Sequence, residues 1–106
     1  MSSKIKCASL EEVRGKIDAI DRVIVSLIAQ RGNFVSQAAH VKKNAYDVRA
    51  PQRVEQVISK IRALSIELNA NADVVEAAYR AMISAFIEAE LVEQRELSGA
   101  VDTSPS

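Results

Sequence analysis

An all-α fold of three helices, long then short then medium, is predicted for this chain by three observations. Apolar residues make up 48% of its 106 and aromatics only 4%, a mixture of Ala, Val, Ile and Leu that suits helix-on-helix packing. Leu10, Val13, Ile17, Ile20, Ile24, Leu27, Arg31, Phe34, Ala38 and Val41 follow one another at steps of three and four without a break, the seam of one long helix. No segment alternates with the period of two that a half-buried strand requires.

The first helix opens at a capping box, Ser9-Leu-Glu-Glu12, in which Ser9 caps the orphan amides and Glu12 reaches back. Run to about Asn44, it would be about 50 Å long at ~1.5 Å per residue. A compact domain of this length has a radius of gyration of only about 13 Å. One copy cannot cover such a helix, so the seam calls for a partner. Nine of the ten seam positions are apolar and the tenth is Arg31, a guanidinium where Leu or Ile belongs. Gly32 beside it costs the helix about 1 kcal/mol relative to Ala.

From Asn44 to Ala50 the periodicity is lost, and this stretch reads as a connection bearing Tyr46, Asp47 and Arg49. Pro51 then suits the first turn of a second helix, whose one face carries Val54, Val57, Ile58, Ile61, Leu64 and Leu68. Asn69-Ala-Asn71 breaks that helix, and Asn71 or Asp73 caps the third. The third runs to about Leu97, with an apolar sector of Val75, Ala78, Tyr79, Met82, Ile83, Phe86 and Ile87. Residues 1–8 read as a flexible amino terminus, 9–98 as one helical domain and 99–106 as a disordered tail.

Composition and inventory exclude more than they admit. Fourteen basic and fourteen acidic side chains cancel, so no global field draws the chain to nucleic acid or membrane. No apolar run approaches the ~20 residues of a membrane span, and Met1 to Ala8 lacks the apolar core of a signal peptide. With a single Cys, Cys7, an internal disulfide is impossible. The expected setting is the cytoplasm. One Cys and one His, His40 off the seam, do not assemble into a nucleophilic set, and no Cys/His spacing suits zinc. No carboxylate cluster suits a hard metal and no Gly-rich loop suits a nucleotide, so neither metal nor cofactor is expected.

What remains is a set of charges placed on apolar faces. Lys42 lies eleven residues after Arg31, three turns on and nearly in line, with backbones about 16 Å apart. Two long cationic side chains at that spacing can close around a small dianion. Glu90 stands one turn past Phe86 and two past Ile83, so it projects into the apolar sector while Glu88 points away. Arg53 flanks the core face of the second helix. Arg31 and Glu90 can be read as a structural ion pair in a dimer core, or as parts of a binding pocket. Buried pairs seldom add stability over apolar replacements, which favours the pocket. Arg14 flanks the seam seventeen residues before Arg31, about 25 Å along the helix, too far for both to grip one small molecule from one chain. Antiparallel packing of two first helices would bring Arg14 of one copy toward Arg31 of the other; alone, Arg14 is an exposed charge.

From about Ser9 to Leu97 the chain resembles the all-helical chorismate mutases, in particular the small bacterial branch that includes the isochorismate-pyruvate lyases. The likeness rests on Val13-Arg14-Gly-Lys-Ile-Asp18-Ala-Ile-Asp21, Gln30-Arg31, Val41-Lys42, Ala50-Pro51-Gln52-Arg53-Val54 and Phe86-Ile-Glu-Ala-Glu90. The resemblance implies an intertwined homodimer with two sites, each built from both chains. It implies that Arg14 from the partner subunit and Arg31 bind the two substrate carboxylates. Lys42 would bond the enol-ether oxygen and a carboxylate, Arg53 would support a carboxylate, and Glu90 would face the ether oxygen from the other side. Val35 and Ile87 would form apolar wall.

The implied reaction is the concerted [3,3] rearrangement of chorismate to prephenate in aromatic amino-acid synthesis, for which held geometry and fixed cations suffice. Two departures from the family pattern bear on it. Many mutases carry an acid that contacts the substrate hydroxyl where this chain has Val54, and Val54 resembles the lyase branch. The usual Gln facing the ether oxygen is Glu90 here, as in fungal mutases, and a carboxylate there must carry a proton to donate a hydrogen bond. Two alternatives stand beside the mutase: an isochorismate-pyruvate lyase that yields salicylate and pyruvate, and a catalytically silent helical dimer serving as an interaction module.

Overall fold

The computed structural model describes residues 8–41 and 44–99, and every regular element among them is helical. Four helices follow in order: α1 (Leu10–Ala39), α2 (Ala45–Arg49), α3 (Pro51–Glu67) and α4 (Ala72–Gly99). The three long ones match the predicted long-short-medium pattern. The expected terminal segments, apart from Ala8 and Gly99, lie outside the described residues, as does Lys42. The chain divides into two compact units, Met1–Phe34 and Val35–Ser106.

The first unit is the greater part of α1. The Ser9 Oγ accepts the Glu12 amide at 3.1 Å, and the Glu12 carboxylate reaches back one residue further than expected, to the Ala8 amide at 2.8 Å. Every residue from Leu10 to Gln30 is exposed in the single chain. The seam is therefore uncovered, and so are Val23 and Val25 beside it. From Val23 to Ile28 only Ser26 is polar, so apolar surface wraps most of the helix there. A helix that is apolar nearly all round requires cover on more than one side.

The second unit begins with the last turn of α1. The helix ends at Ala39, short of the expected Asn44, and Val41, the last seam residue, lies beyond it and is exposed. His40 and Val41 close the end with amide bonds to Gln37 O and Ala38 O, the tighter i→i−3 pattern of a finishing helix. The predicted connection contains one helical turn, α2, because the Asn44 side chain accepts the Asp47 amide at 2.9 Å. That local cap offers the backbone an alternative to prolonging α1.

Ala50 joins α2 to α3 in the left-handed region, at φ 38° and ψ 59°, with its amide on Tyr46 O at 2.9 Å. Pro51 follows at the first position of α3. At the far end of α3, Asn69 takes φ 62°, and the amides of Asn69 and Ala70 return to Ile66 O and Ser65 O. These are the two bonds of a Schellman close, with Asn in the place where Gly is commonest. Of the two caps considered for the following helix, Asn71 serves: its side chain accepts the amides of Asp73 and Val74 at 3.0 and 3.2 Å.

α2 and α3 both pack on α4. Their buried apolar core is Val48, Ile58, Ile61 and Ile83. Among the described residues two polar ones share this burial, Glu90 and Ser65, and the Ser65 hydroxyl donates to Ile61 O at 2.7 Å. A charged ladder flanks the α3–α4 contact. Arg80 holds Glu55 with both terminal nitrogens at 3.0 Å and Glu76 through Nε at 2.7 Å. Arg62 bonds Glu76 at 2.7 Å and Asp73 at 3.1 Å. The Arg80 hydrogen bonds hold both Glu55 and Glu76 below the usual carboxylate value, Arg62 adding to the effect on Glu76. Reciprocally, Glu55 and Glu76 raise Arg80, and Glu76 with Asp73 raises Arg62.

Two predictions follow from these contacts. A non-glycine residue in the left-handed region costs about 1–2 kcal/mol, and the residue before proline is restricted further. Ala50→Gly relieves this and, after the entropy glycine adds to the unfolded chain, should stabilise by about 0.5–1 kcal/mol in denaturant titration. The ladder's contribution is present above the unfolded Glu value near 4.5 and is lost as pH falls through the lowered folded values. Thermal melts of Glu76→Gln should therefore lie below wild type at pH 7, with the gap closing under acid and narrowing in 1 M salt.

Candidate active site

The candidate residues divide between the two units. Arg14 and Arg31 belong to the first, both on α1; Arg14 is exposed, whereas Arg31 is half-buried although its neighbours up to Gln30 are exposed. Val35, Arg53, Ile87 and Glu90 belong to the second. Lys42 lies outside the described residues.

Within the second unit, α4 supplies the most constrained group. Glu90 is only 4% exposed, and Ile87, one turn before it, is half-buried. Glu88 is exposed, so the helical phase read from the sequence holds: Glu90 faces inward and Glu88 outward. Among the described residues no buried side-chain nitrogen or oxygen lacks a hydrogen-bond partner. A buried carboxyl is costly unless its polar atoms are paired, and Glu90 is buried in the middle of the apolar sector of α4. Val35 is half-buried on the last turn of α1.

Arg53 is exposed at the start of α3. It lines an open hollow of about 330 Å³ together with Tyr46, Asp47, Ala50, Pro51, Gln52 and Gln56. The left-handed Ala50 turns α2 onto α3 and so brings Tyr46 and Asp47 to the side of Arg53. Val54, next to it, is half-buried, so the position after Arg53 offers a methyl surface with no acid.

Sequence reasoning missed one polar cluster in this unit. Glu93 on α4 receives the Ser36 hydroxyl from the last turn of α1 and lies beside His40. The available signal was the spacing of three between Glu90 and Glu93, which puts both carboxylates on neighbouring rows of one helix face. Among the described residues no group of three or more His, Cys, Asp or Glu side chains could hold a metal ion. No described helix is long and apolar enough to cross a membrane.

Comparison with known proteins places this chain in a family. The family model for chorismate mutase type II matches residues 13–91, a span that contains every candidate residue from Arg14 to Glu90. The chain is 27% identical over 100 residues to an isochorismate pyruvate lyase of Pseudomonas aeruginosa, covering 94% of this chain and 99% of that one. It is 33% identical over 66 residues to a chorismate mutase of Methanocaldococcus jannaschii, covering 61% of this chain and 67% of that one.

Proposed function

We propose that this chain, which belongs to the chorismate mutase type II family, is a chorismate mutase that rearranges chorismate to prephenate in the cytoplasm as a homodimer. The observation that carries the reading is the buried Glu90, set in an apolar helix face inside the matched span. An inward carboxyl has no structural gain over an apolar residue, but it has a use opposite a polar reacting atom.

In this reading the substrate is a small dianion. Arg31 and the partner subunit's Arg14 grip its two carboxylates, with Arg53 in support. Lys42 bonds the ether oxygen from one side and protonated Glu90 from the other, where negative charge develops as the C–O bond breaks. Val35 and Ile87 press the substrate into its reactive conformer. Rate enhancement then comes from held geometry and from fixed donors aimed at the developing charge. The bonds break and form within the substrate, so the chain need supply neither nucleophile nor redox group.

A second reading, isochorismate-pyruvate lyase giving salicylate and pyruvate, is favoured by two observations. The lyase relative aligns over nearly the whole chain. Val54 also puts no acid at the position immediately after Arg53 for a substrate hydroxyl. The same cationic pocket would serve that reaction.

Purified protein incubated with chorismate and, separately, isochorismate should yield prephenate from the first; salicylate with negligible prephenate would establish the lyase instead. Arg31→Ala should lower kcat/KM at least ~10²-fold, in line with the loss of a fixed donor to developing or bound charge. Mixing Arg14→Ala with Arg31→Ala subunits should restore about a quarter of wild-type activity, because each mixed dimer regains one intact site. No recovery on mixing would place the two arginines in separate roles. Turnover should rise toward mildly acidic pH as Glu90 gains its proton, and Glu90→Gln, a donor at every pH, should carry activity to higher pH. An unchanged pH profile in that variant would remove Glu90 from the reaction.

A further inference from the structure

Glu93 lies one turn beyond Glu90 on α4, and its two carboxylate oxygens accept the Ser36 hydroxyl at 3.3 and 3.2 Å. The same carboxylate lies 3.6 Å from His40 Nε2. Ser36 and His40 are four residues apart, so one acidic side chain engages two successive turns at the end of α1. An exposed ion pair alone would contribute little. Glu93, however, is a part-buried acceptor whose contacts join two different helices.

The buried apolar core gives this contact its weight. Val48, Ile58, Ile61 and Ile83 come from α2, α3 and α4; among the described residues none of this core comes from the last turn of α1, where Val35, Ser36 and Ala38 are half-buried. No fully buried apolar residue among those described holds α1's end on α4. Polar contacts to Glu93 act there instead. Val35 immediately precedes Ser36, and Ile87 and Glu90 lie two turns and one turn before Glu93. A shift at the Ser36–Glu93 contact thus changes the spacing between Val35 and the Ile87–Glu90 face.

We infer that Glu93 is a positioning residue: by holding Ser36 and His40 it sets the end of α1 against α4, and with it the apolar wall proposed to compress the substrate. This inference rests on the mutase-type reading of the site. Glu93 acts through Val35 and has no contact with the reacting atoms. A misplacement of about 1 Å remote from the chemistry can cost ~10²-fold in rate, so loss of a partial restraint should cost about tenfold.

The test is steady-state turnover of chorismate and isochorismate by the full chain and its Glu93→Ala, Glu93→Gln, Ser36→Ala and Ser36→Ala/Glu93→Ala variants. Glu93→Ala should lower kcat about tenfold with KM within about twofold. Glu93→Gln, whose amide oxygen still accepts the Ser36 hydroxyl, should recover most of that loss. Ser36→Ala should lower kcat on its own and add nothing on top of Glu93→Ala, the signature of a shared contact. Equal rates for Glu93→Ala and wild type, independent multiplication of the two losses, or a Gln variant as impaired as Ala would each overturn the inference. If Glu93→Ala fails to fold, the Ser36→Ala and Glu93→Gln rates still decide it: a slow Ser36→Ala with a near-normal Glu93→Gln supports the role, and any other pattern removes it. Wild-type protein that turns over neither substrate would instead overturn the functional reading itself, and this role with it.

Discussion

Uncovered apolar surface on α1 is the constraint to which the rest of the molecule answers. Eight large apolar residues from Val13 to Ile28, besides Leu10 at the helix start and Phe34, are exposed in the single chain. Each such side chain gains about 1.5–3 kcal/mol on full burial, and a patch of this extent in water favours association. The second unit buries Val48, Ile58, Ile61 and Ile83 as a core of its own, and its exposed apolar residues, among them Ile66, Leu68 and Val74, do not form so long an unbroken seam. A second copy of the same helix, as in the proposed homodimer, would be an occupant of matching chemistry: a self-complementary apolar seam would close by two-fold symmetry and leave no open end.

Charge is distributed on α3 and α4 in two distinct ways. The Arg62–Glu76–Arg80–Glu55 ladder lies at the edge of the α3–α4 contact, keeps water access and satisfies each group with an opposite partner. Such a ladder orients two helices at low cost because its members are never fully desolvated. Glu90 is the opposite case. It is nearly as inaccessible as Ile58, 4% exposed in each instance, yet it is ionisable and lies where the helix is otherwise apolar. Stability alone gives no reason for a carboxyl there, since an apolar residue of similar volume would pack without desolvation. Recognition of a polar ligand atom gives one. Glu93, one turn further and half-exposed, has the accessibility of the ladder but lies beside the proposed site, where its contacts would bear on geometry more than on stability.

Periodicity carried most of the fold because long amphipathic helices repeat their signal many times. The seam of α1, the inward face of α3 and the phase that sets Glu90 in and Glu88 out were all legible from spacing. Ends were less so. Nothing in the described side chains after Ala39 breaks a helix outright; α1 ends at Ala39 with i→i−3 bonds, and Asn44 caps α2 further on, local hydrogen-bonding schemes that compete with a longer helix. The single turn of α2 is too short to show a period, and the left-handed Ala50 carries no glycine to announce it. Of the candidate site, the residue types and the inward carboxyl were readable, whereas the Glu93 cluster was not. Ser36, His40 and Glu93 are ordinary surface residues in sequence, and only the docking of α1's last turn on α4 makes them neighbours.

The spacing of Arg14 and Arg31 links the uncovered helix to the proposed chemistry. Seventeen residues of α-helix separate them by about 25 Å, several times the reach needed to bracket a small dianion. If both serve one pocket, they come from different chains, and the apolar seam that lies between them is the surface on which those chains meet. Dimer closure then creates two equivalent pockets at once, each with an arginine from either copy. Binding partner and building site become the same event, so dilution that separates the copies removes stability and activity together. A charge inside the seam is tolerable under that arrangement because the ligand's carboxylate replaces the water that Arg31 gives up. The position that looks least suited to a packing helix is then the one where packing and catalysis share a residue.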